Sequence, residues 1–291
     1  MIDSKIIEEI QSVLNNKKIL STKVLSNSFG INCVEFQTSG NEKYIVKYYN
    51  NYNKRFNAIE SETENLKLLN SLKLKYFPKI YNDDGKYLII SFIKNNGIQP
   101  NRTKEDLLNA IIKIHSIKNK KYGLDFATQI GGLKQENNWS DNWVNFYREK
   151  RLLYVFEIIN SKNKMDNNIN IKIEKLLKNL NNYIPEKPRS SLLHGDLWEG
   201  NILFNDEKFV GFIDPGSFYG HNELELAYLT WFNPKFISSD FLSRYNCFIK
   251  IDKDFFKYEP IYQLYYSLLN VLLWDRNYIK DVQRLLNNIK V

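Results

Sequence analysis

Cysteine and uninterrupted hydrophobic sequence are both scarce in this chain of 291 residues. The two cysteines, Cys33 and Cys247, lie far apart, so they predict neither a disulfide framework nor a thiolate metal site. No stretch of about 18 uncharged apolar residues occurs, which argues against a transmembrane helix. Asp3, Lys5 and Glu8 interrupt the start of the chain, so a signal peptide is not expected either. We therefore predict a cytoplasmic protein without a membrane partner.

The charge balance is basic, with 41 lysines and arginines against 33 aspartates and glutamates, a formal net charge of +8. The lysines are scattered among asparagines along the whole chain, a pattern that indicates a solvated surface and not one basic block. We therefore expect no nucleic-acid partner. A hydrophobic content of 43% is enough for a substantial core, and the length suits a chain divided into two lobes.

The stretch 192–232 carries the residues on which the functional prediction depends. It contains His194 and Asp196 in an H-x-D arrangement, then Asn201, and then Asp214 at the end of an apolar run. This spacing matches a kinase catalytic loop and its metal-binding aspartate. Phosphoryl transfer requires a carboxylate that orients the acceptor hydroxyl, and oxygen ligands that hold Mg²⁺ against the nucleotide phosphates. We assign Asp196 as the catalytic base, Asn201 and Asp214 as the Mg²⁺ ligands, and His194 as the scaffold of the loop.

Apolar segments surround this loop. Periodicity predicts strands over 190–193, 201–204 and 209–213, the last of which ends at Asp214. Later segments have helical spacing, and one of them is predicted to begin with Pro260 in its first turn, where no amide hydrogen is needed. These helices are predicted over 223–231, 241–249, 260–273 and 275–289. The C-terminal part of the chain is therefore predicted to be mainly helical.

The N-terminal part has the pattern of a small antiparallel sheet. A leading helix is predicted over 4–14, followed by strands over 23–29, 31–37 and 43–49. In a kinase these strands cover the nucleotide, and the turn that contains Gly30 lies over its phosphates. Such a loop usually has two or three glycines so that backbone amides approach closely, whereas SNSFGIN has one. A non-catalytic nucleotide-binding protein therefore stays open as an alternative.

Lys47 lies within YIVKYY, where alternation places it on an inward face of its strand. An inward lysine needs a counter-charge, because an unpaired buried ammonium is costly. The next helix, predicted over 57–72, offers Glu60, Glu62 and Glu64 as candidates.

Two more strands, over 79–81 and 87–92, are predicted before a polar stretch at 94–102. A hinge between two lobes would lie there. Backbone groups at such a hinge hydrogen-bond the adenine edge, so Ile93 marks the expected contact. The predicted domains are a nucleotide-covering lobe over residues 1–93 and a catalytic and substrate lobe over 94–291.

The catalytic stretch also resembles a known family. HGDLWEGN followed by IDPGSFYGHNELELA is similar to the fructosamine kinase, or ketosamine 3-kinase, family, a branch of the aminoglycoside and choline kinase group. Segment 130–151 resembles the middle of that family and segment 258–275 its closing helix. The resemblance implies an α+β, protein-kinase-like two-lobe fold, with an antiparallel sheet plus a helix in the N-terminal lobe and a mainly helical C-terminal lobe.

The resemblance also implies roles for individual residues. Lys47 would bind the α- and β-phosphates of ATP and pair with a glutamate. We choose Glu62, because its E-x-x-x-L-x-x-L spacing resembles the family pattern. Glu225 stands where relatives carry aspartate and is expected to support the catalytic loop. Trp198, two positions after the base, is expected to form an apolar wall for a sugar.

These assignments predict an ATP- and Mg²⁺-dependent phosphotransferase with an alcohol acceptor. The resemblance implies that the acceptor is the 3-hydroxyl of a ketosamine, either a fructosamine or a ribulosamine on a small or protein-bound amine, and that phosphorylation leads to deglycation. The alternative is a small-molecule kinase of the same fold that acts on an aminoglycoside, choline or homoserine. We expect a monomer or weak homodimer without a regulatory disulfide at Cys33.

Overall fold

The structure is a computed structural model that describes residues 2–50 and 56–289. Its helices are, in chain order, α1 (Ser4–Val13), α2 (Ala58–Ser71), α3 (Glu105–His115), α4 (Trp143–Tyr147), α5 (Leu153–Asn163), α6 (Asn167–Lys178), α7 (Asn222–Trp231), α8 (Phe241–Asn246), α9 (Phe255–Leu273) and α10 (Ile279–Ile289). Its strands are β1 (Ile19–Ser28), β2 (Ile31–Thr38), β3 (Lys43–Tyr49), β4 (Ile80–Asp83), β5 (Tyr87–Ser91), β6 (Thr128–Ile130), β7 (Leu133–Gln135), β8 (Ser190–Leu192), β9 (Ile202–Asn205), β10 (Lys208–Phe212) and β11 (Tyr219–His221).

The chain divides into two compact units. The first unit comprises Met1–Ile98, Thr128–Lys134 and Ile202–Gly216. The second unit comprises Gln99–Ala127, Gln135–Asn201 and Ser217–Val291. The assignment of a nucleotide-covering lobe to residues 1–93 and a catalytic lobe to 94–291 stays a prediction. No helix in the described part of the chain is long and apolar enough to cross a membrane.

The first unit is built on a five-stranded antiparallel sheet with the strand order β1-β2-β3-β5-β4. The strands predicted from alternation are confirmed, although β1 begins at Ile19, four residues earlier than expected. Phe29 and Gly30 form a two-residue connection between β1 and β2, with φ angles of 57° and 81°. Two positive φ angles in succession match the mirror-image turn that suits the twist of a hairpin, and glycine tolerates this backbone best.

Helix α1 covers one face of this sheet. Ile10 of α1 packs into the same core as Val34 of β2 and Val46 of β3, and all three are fully buried. The helix begins after Asp3, whose carboxylate accepts a hydrogen bond from the backbone N–H of Lys5. Because side chains alternate along a strand, Lys47 lies on the opposite face, away from this core.

Strands β9 and β10 pair as a separate antiparallel hairpin of the first unit. The backbone N–H of Phe212 donates to the carbonyl of Tyr76 at 2.8 Å. A Cβ added at Gly211 would lie 2.8 Å from both that carbonyl and Cδ1 of Ile93. The hairpin is therefore packed closely against the chain around Ile93, and Asp214 follows directly from it.

The second unit is largely helical, as predicted, but two of its details differ from expectation. Strand β8 pairs antiparallel with β11, with Leu192 opposite Tyr219, and β11 was not predicted. A strand of three residues is too short to show an alternation of apolar and polar side chains. Helix α9 begins at Phe255, so Pro260 lies inside the helix and not in its first turn. The amide hydrogen that proline lacks would have bonded the carbonyl of Phe256, which is an exposed residue.

Aromatic side chains fill the core of the second unit. Trp143, Tyr147 and Tyr262 are fully buried. Their polar atoms are satisfied: the Trp143 indole donates to the Tyr262 hydroxyl at 2.8 Å, and the Tyr147 hydroxyl donates to the Ile261 carbonyl at 2.8 Å. Helix α4 is capped by Asn142, whose side chain accepts a hydrogen bond from the backbone N–H of Asn145.

Candidate active site

Lys47, Glu62 and Asp214 meet in the first unit. Nζ of Lys47 on β3 lies 2.7 and 2.8 Å from the two carboxylate oxygens of Glu62 on α2, and it also forms a salt bridge with Asp214. Glu62 is buried, whereas Glu60 and Glu64 are exposed. The structure therefore pairs the inward lysine with the glutamate that the sequence pattern selected.

The electrostatics of this triad keep the lysine charged. Burial alone lowers the pKa of Lys47, but the charges of Asp214 and Glu62 outweigh burial, so its pKa is raised. Burial raises the pKa of Glu62, and the ammonium of Lys47 opposes this effect without cancelling it. Two carboxylates around one ammonium leave excess negative charge when both are ionised, which suits a site for a cation.

Asp214 is the member of the triad that an external ligand can reach. Its side chain is 43% exposed, whereas those of Lys47 and Glu62 are 10% and 5% exposed. Its φ angle is 54°, in the left-handed region that residues other than glycine rarely adopt. Such a conformation costs on the order of 1–3 kcal/mol and is common at ligand sites. An accessible carboxylate oxygen next to a charged lysine fits an Mg²⁺ ion that carries nucleotide phosphates.

Glu225 organises the catalytic loop of the second unit. Its carboxylate accepts hydrogen bonds from the backbone N–H groups of His194 at 3.0 Å and Gly195 at 2.7 Å. His115 Nε2 lies 2.9 Å from the same carboxylate, and His115 Nδ1 lies 2.8 Å from the Tyr245 hydroxyl. His115 is therefore a hydrogen-bonded core residue. Burial raises the pKa of Glu225, but the hydrogen bonds and charge of its histidine neighbours lower it overall.

Asp196 is half-buried and held by its own loop. The side-chain amide of Asn201 donates to the Asp196 carbonyl at 2.8 Å and to its carboxylate at 3.1 Å. The backbone N–H of Asp196 donates to Nδ1 of His194 at 3.2 Å. Because the amide nitrogen of Asn201 is directed at Asp196, its amide oxygen is the atom that remains to bind a metal. Oxygen donors of this kind are those that Mg²⁺ prefers.

Tyr228 is a site residue that sequence reasoning missed. It lies on α7, and its hydroxyl is hydrogen-bonded to the Asp196 side chain. Its ring stacks on Tyr266 with a centroid distance of 3.6 Å and an interplanar angle of 2°. Burial holds the pKa of Tyr228 well above its ordinary value, so the phenol stays protonated and donates to Asp196. Tyr228 follows Glu225 by three residues, a spacing that places both side chains on one face of α7. This spacing was the sequence signal that could have identified Tyr228.

Trp198 combines exposure with packing on its own loop. It is 37% exposed, and a Cβ added at Gly200 would lie 2.4 Å from the indole ring. The ring therefore lies over the backbone of Gly200, and a side chain at position 200 would force the indole to move. Its predicted role as a sugar wall is compatible with this exposure and stays a prediction.

Gly30 and Ile93, the two predicted nucleotide contacts, both lie in the first unit. Phe29, the neighbour of Gly30, contacts Gly132: a Cβ added at Gly132 would lie 2.9 Å from Cβ of Phe29. The turn Gly131-Gly132 therefore supports the turn expected to cover the phosphates. Ile93 follows β5, and its carbonyl accepts a hydrogen bond from the Asn95 side chain at 2.8 Å. A contact of either residue with the nucleotide stays a prediction.

The comparisons with known proteins agree with this geometry. A family model described as fructosamine kinase matches residues 2–291. This chain belongs to the fructosamine kinase family. A probable ketoamine kinase of Enterococcus faecium is 28% identical to this family member over 290 residues, which cover 96% of this chain and 99% of that protein. The predicted enzyme class, a phosphotransferase with an alcohol acceptor, is therefore confirmed.

Solved structures support the fold of this fructosamine kinase family member. A Thermobifida fusca protein assigned as a fructosamine-3-kinase has a TM-score of 0.85 at 18% identity, over 99% of both chains. APH(2″)-IIa, solved as a ternary complex with streptomycin and ATP, has a TM-score of 0.69 at 20% identity, over 99% of this chain and 97% of that one. The predicted α+β, protein-kinase-like fold is therefore confirmed.

Cys33 is expected to be a poor nucleophile in this family member. It lies opposite Lys47 in the β2–β3 register, and burial raises the pKa of its thiol to about 11. Since the thiolate is the reactive form, Cys33 should react much more slowly with iodoacetamide at pH 8 than the exposed Cys247. Peptide mass spectrometry over time measures both rates. Rapid labelling of Cys33 in a Cys247→Ser protein would contradict this, as would an oxidised dimer on a non-reducing gel that Cys33→Ser abolishes.

Proposed function

We propose that this protein transfers the γ-phosphoryl group of ATP to the 3-hydroxyl of a ketosamine. The observation that carries the proposal is the ion-paired triad of Lys47, Glu62 and Asp214. A buried, charged lysine fixed between two carboxylates is suited to the α- and β-phosphates of a nucleotide. Membership of the fructosamine kinase family supports the acceptor class.

The nucleotide side of the reaction requires positioning and charge neutralisation. We assign phosphate binding to Lys47 and to the turn at Gly30, and the adenine contact to the backbone at Ile93. Asp214 and Asn201 would hold Mg²⁺, which neutralises charge on the phosphate oxygens when bound. Glu62 keeps Lys47 charged and in place.

The acceptor side of the reaction is assigned to Asp196. Its carboxylate, held by Asn201 and Tyr228, orients the hydroxyl and accepts its proton late in a loose transition state. Trp198 would present an apolar face to the sugar. The product carries phosphate on C3 beside the C2 carbonyl, so it is expected to lose a C1 proton and inorganic phosphate, after which water hydrolyses the resulting imine to the free amine and a dicarbonyl sugar. The protein would then act in deglycation.

A substrate panel tests this function. The protein is incubated with Mg²⁺, ATP and, separately, ribulosamine-lysine, fructosamine-lysine, choline and kanamycin, and ADP and free phosphate are followed. We expect ADP with a ketosamine, followed by free phosphate, and no ADP with choline or kanamycin. The same preparation of an Asp196→Asn variant controls for a contaminating kinase. ADP with choline or kanamycin and none with either ketosamine would favour the small-molecule kinase alternative.

The proposal also covers the location, the oligomeric state and the partners of the enzyme. We propose a cytoplasmic enzyme that acts as a monomer or weak homodimer on small-molecule or protein-bound ketosamines, without nucleic-acid or membrane partners. The scattered distribution of its lysines supports the absence of a nucleic-acid partner. An intact set of Lys47, Asp196, Asn201 and Asp214 argues against a non-catalytic nucleotide-binding protein.

A further inference from the structure

Four aromatic side chains form a continuous row at the C-terminal end of α7. Tyr228 and Phe232 lie one helical turn apart, with ring centroids separated by 6.0 Å. The Phe232 ring lies 4.7 Å from that of Trp231, which lies 6.4 Å from that of Tyr278. We call Tyr228, Trp231, Phe232 and Tyr278 the aromatic shelf.

The aromatic shelf begins at the catalytic carboxylate. The Tyr228 hydroxyl is hydrogen-bonded to Asp196, and stacking on Tyr266 of α9 fixes the plane of the Tyr228 ring. Phe232 is the next ring in the row, so a single ring contact separates it from the residue that touches Asp196. The shelf therefore extends from the reacting end of the site along α7.

The side chains beyond Tyr228 are more exposed than Tyr228 itself. Tyr228 is 7% exposed and Phe232 is 40% exposed, while Trp231 and Tyr278 are partly exposed. Aromatic residues that only pack a core are buried as completely as Trp143 or Tyr262 in this same unit. A contiguous, partly exposed apolar surface that starts at a catalytic group is typical of a ligand-binding wall.

We propose that the aromatic shelf binds the amine arm of the acceptor, meaning the organic group carried by the ketosamine nitrogen. This inference rests on the proposed function. In a ketosamine the nitrogen is attached to C1 and the reacting hydroxyl to C3, so an acceptor oriented by Asp196 projects its amine arm within a few bonds of that carboxylate. A hydrocarbon arm packs against aromatic rings and leaves water, whereas a very short arm reaches none of them.

The expected consequence is selectivity for amine arms that contain several methylenes or a ring. A protein lysine adduct carries four methylenes next to the ketosamine nitrogen, so the shelf is suited to this class of acceptor. The shelf makes no contribution to ATP binding. A variant that removes one ring should therefore change acceptor discrimination and leave the nucleotide unaffected.

The test compares Phe232→Ala with Phe248→Ala, which removes a 63% exposed phenylalanine that follows α8. The acceptors are the fructosamine adducts of methylamine, butylamine and benzylamine. Loss of the Phe232 ring should raise KM for the butylamine and benzylamine adducts roughly 5- to 10-fold, the effect of losing about one buried methylene or ring contact. KM for the methylamine adduct and for ATP should stay within about 2-fold, and Phe248→Ala should change none of these values.

Phe232→Leu keeps hydrocarbon at the same position, and it should restore most of the butylamine selectivity but less of the benzylamine selectivity. An unchanged KM for ATP shows that each variant is folded. A Phe232→Ala variant whose preference among the three adducts equals that of the unmodified protein would overturn this inference alone. Failure of the unmodified protein to phosphorylate any ketosamine would overturn the proposed function and the inference with it.

Discussion

Replacement of Asp196 by asparagine should lower turnover by at least about 10²-fold, in the range of a positioned acid–base group, and leave ATP binding nearly intact. The amide has the shape of the carboxylate, and its oxygen can still accept a hydrogen bond from Asn201 or Tyr228. It cannot take the proton of the acceptor hydroxyl. Single-turnover kinetics with a ketosamine, together with a nucleotide titration, measure the two effects separately.

Asp214→Ala provides the matched contrast, because it should fail in a different way. The variant loses a carboxylate that the structure pairs with Lys47 and exposes to solvent, so Mg²⁺-dependent ATP binding should weaken along with turnover. The titration is therefore repeated with and without Mg²⁺. Wild-type turnover in Asp196→Asn would show that the roles assigned to the whole loop are wrong. Equal loss of ATP binding in both variants would contradict the separation of base and metal ligand.

The first unit was the more predictable part of the chain because its signals are local. Strand alternation placed Lys47 on an inward face of its strand, and the spacing that resembles the family pattern selected Glu62 among three glutamates. Both arguments compare residues that lie close together in the sequence, within one strand or one helix. The salt bridge of Lys47 with Asp214 instead joins positions far apart in sequence, and it was not predicted.

Several features of the second unit cannot be predicted from sequence periodicity. Strand β11 has three residues and is defined by its pairing with β8, so no local sequence pattern predicts it. Pro260 favours a helix start in isolation, yet packing continues α9 through it. The hydroxyl of Tyr228 reaches Asp196 from another element, and the aromatic shelf depends on Tyr278 meeting Trp231. These contacts are set by helix packing, which a single sequence does not specify.

Glu225→Gln should be the most destabilising of the conservative changes in this site. Glu225 is 1% exposed and accepts hydrogen bonds from His194 and Gly195, beside the imidazole of His115. A glutamine has one oxygen that accepts hydrogen bonds and one NH2 group that donates them. One of the two backbone N–H groups would therefore face another donor. Leaving one of these buried donors without an acceptor costs about 1–3 kcal/mol, whereas the exposed Glu157→Gln should change the free energy of unfolding by less than about 0.5 kcal/mol.

The pH dependence of this loss has a definite sign. Burial raises the pKa of Glu225, but hydrogen bonding and charge from His115 and the loop outweigh it, so the folded-state pKa lies below the ordinary value of 4.5. A depressed carboxyl pKa contributes stability that is present above the unfolded value and is lost as pH falls through the folded value. The difference in unfolding free energy between unmodified protein and Glu225→Gln should therefore be full at pH 7 and shrink below pH 4.5, as measured by urea denaturation. A difference that stays constant from pH 7 down to the acid unfolding transition would mean that the charge of Glu225 does not stabilise the catalytic loop.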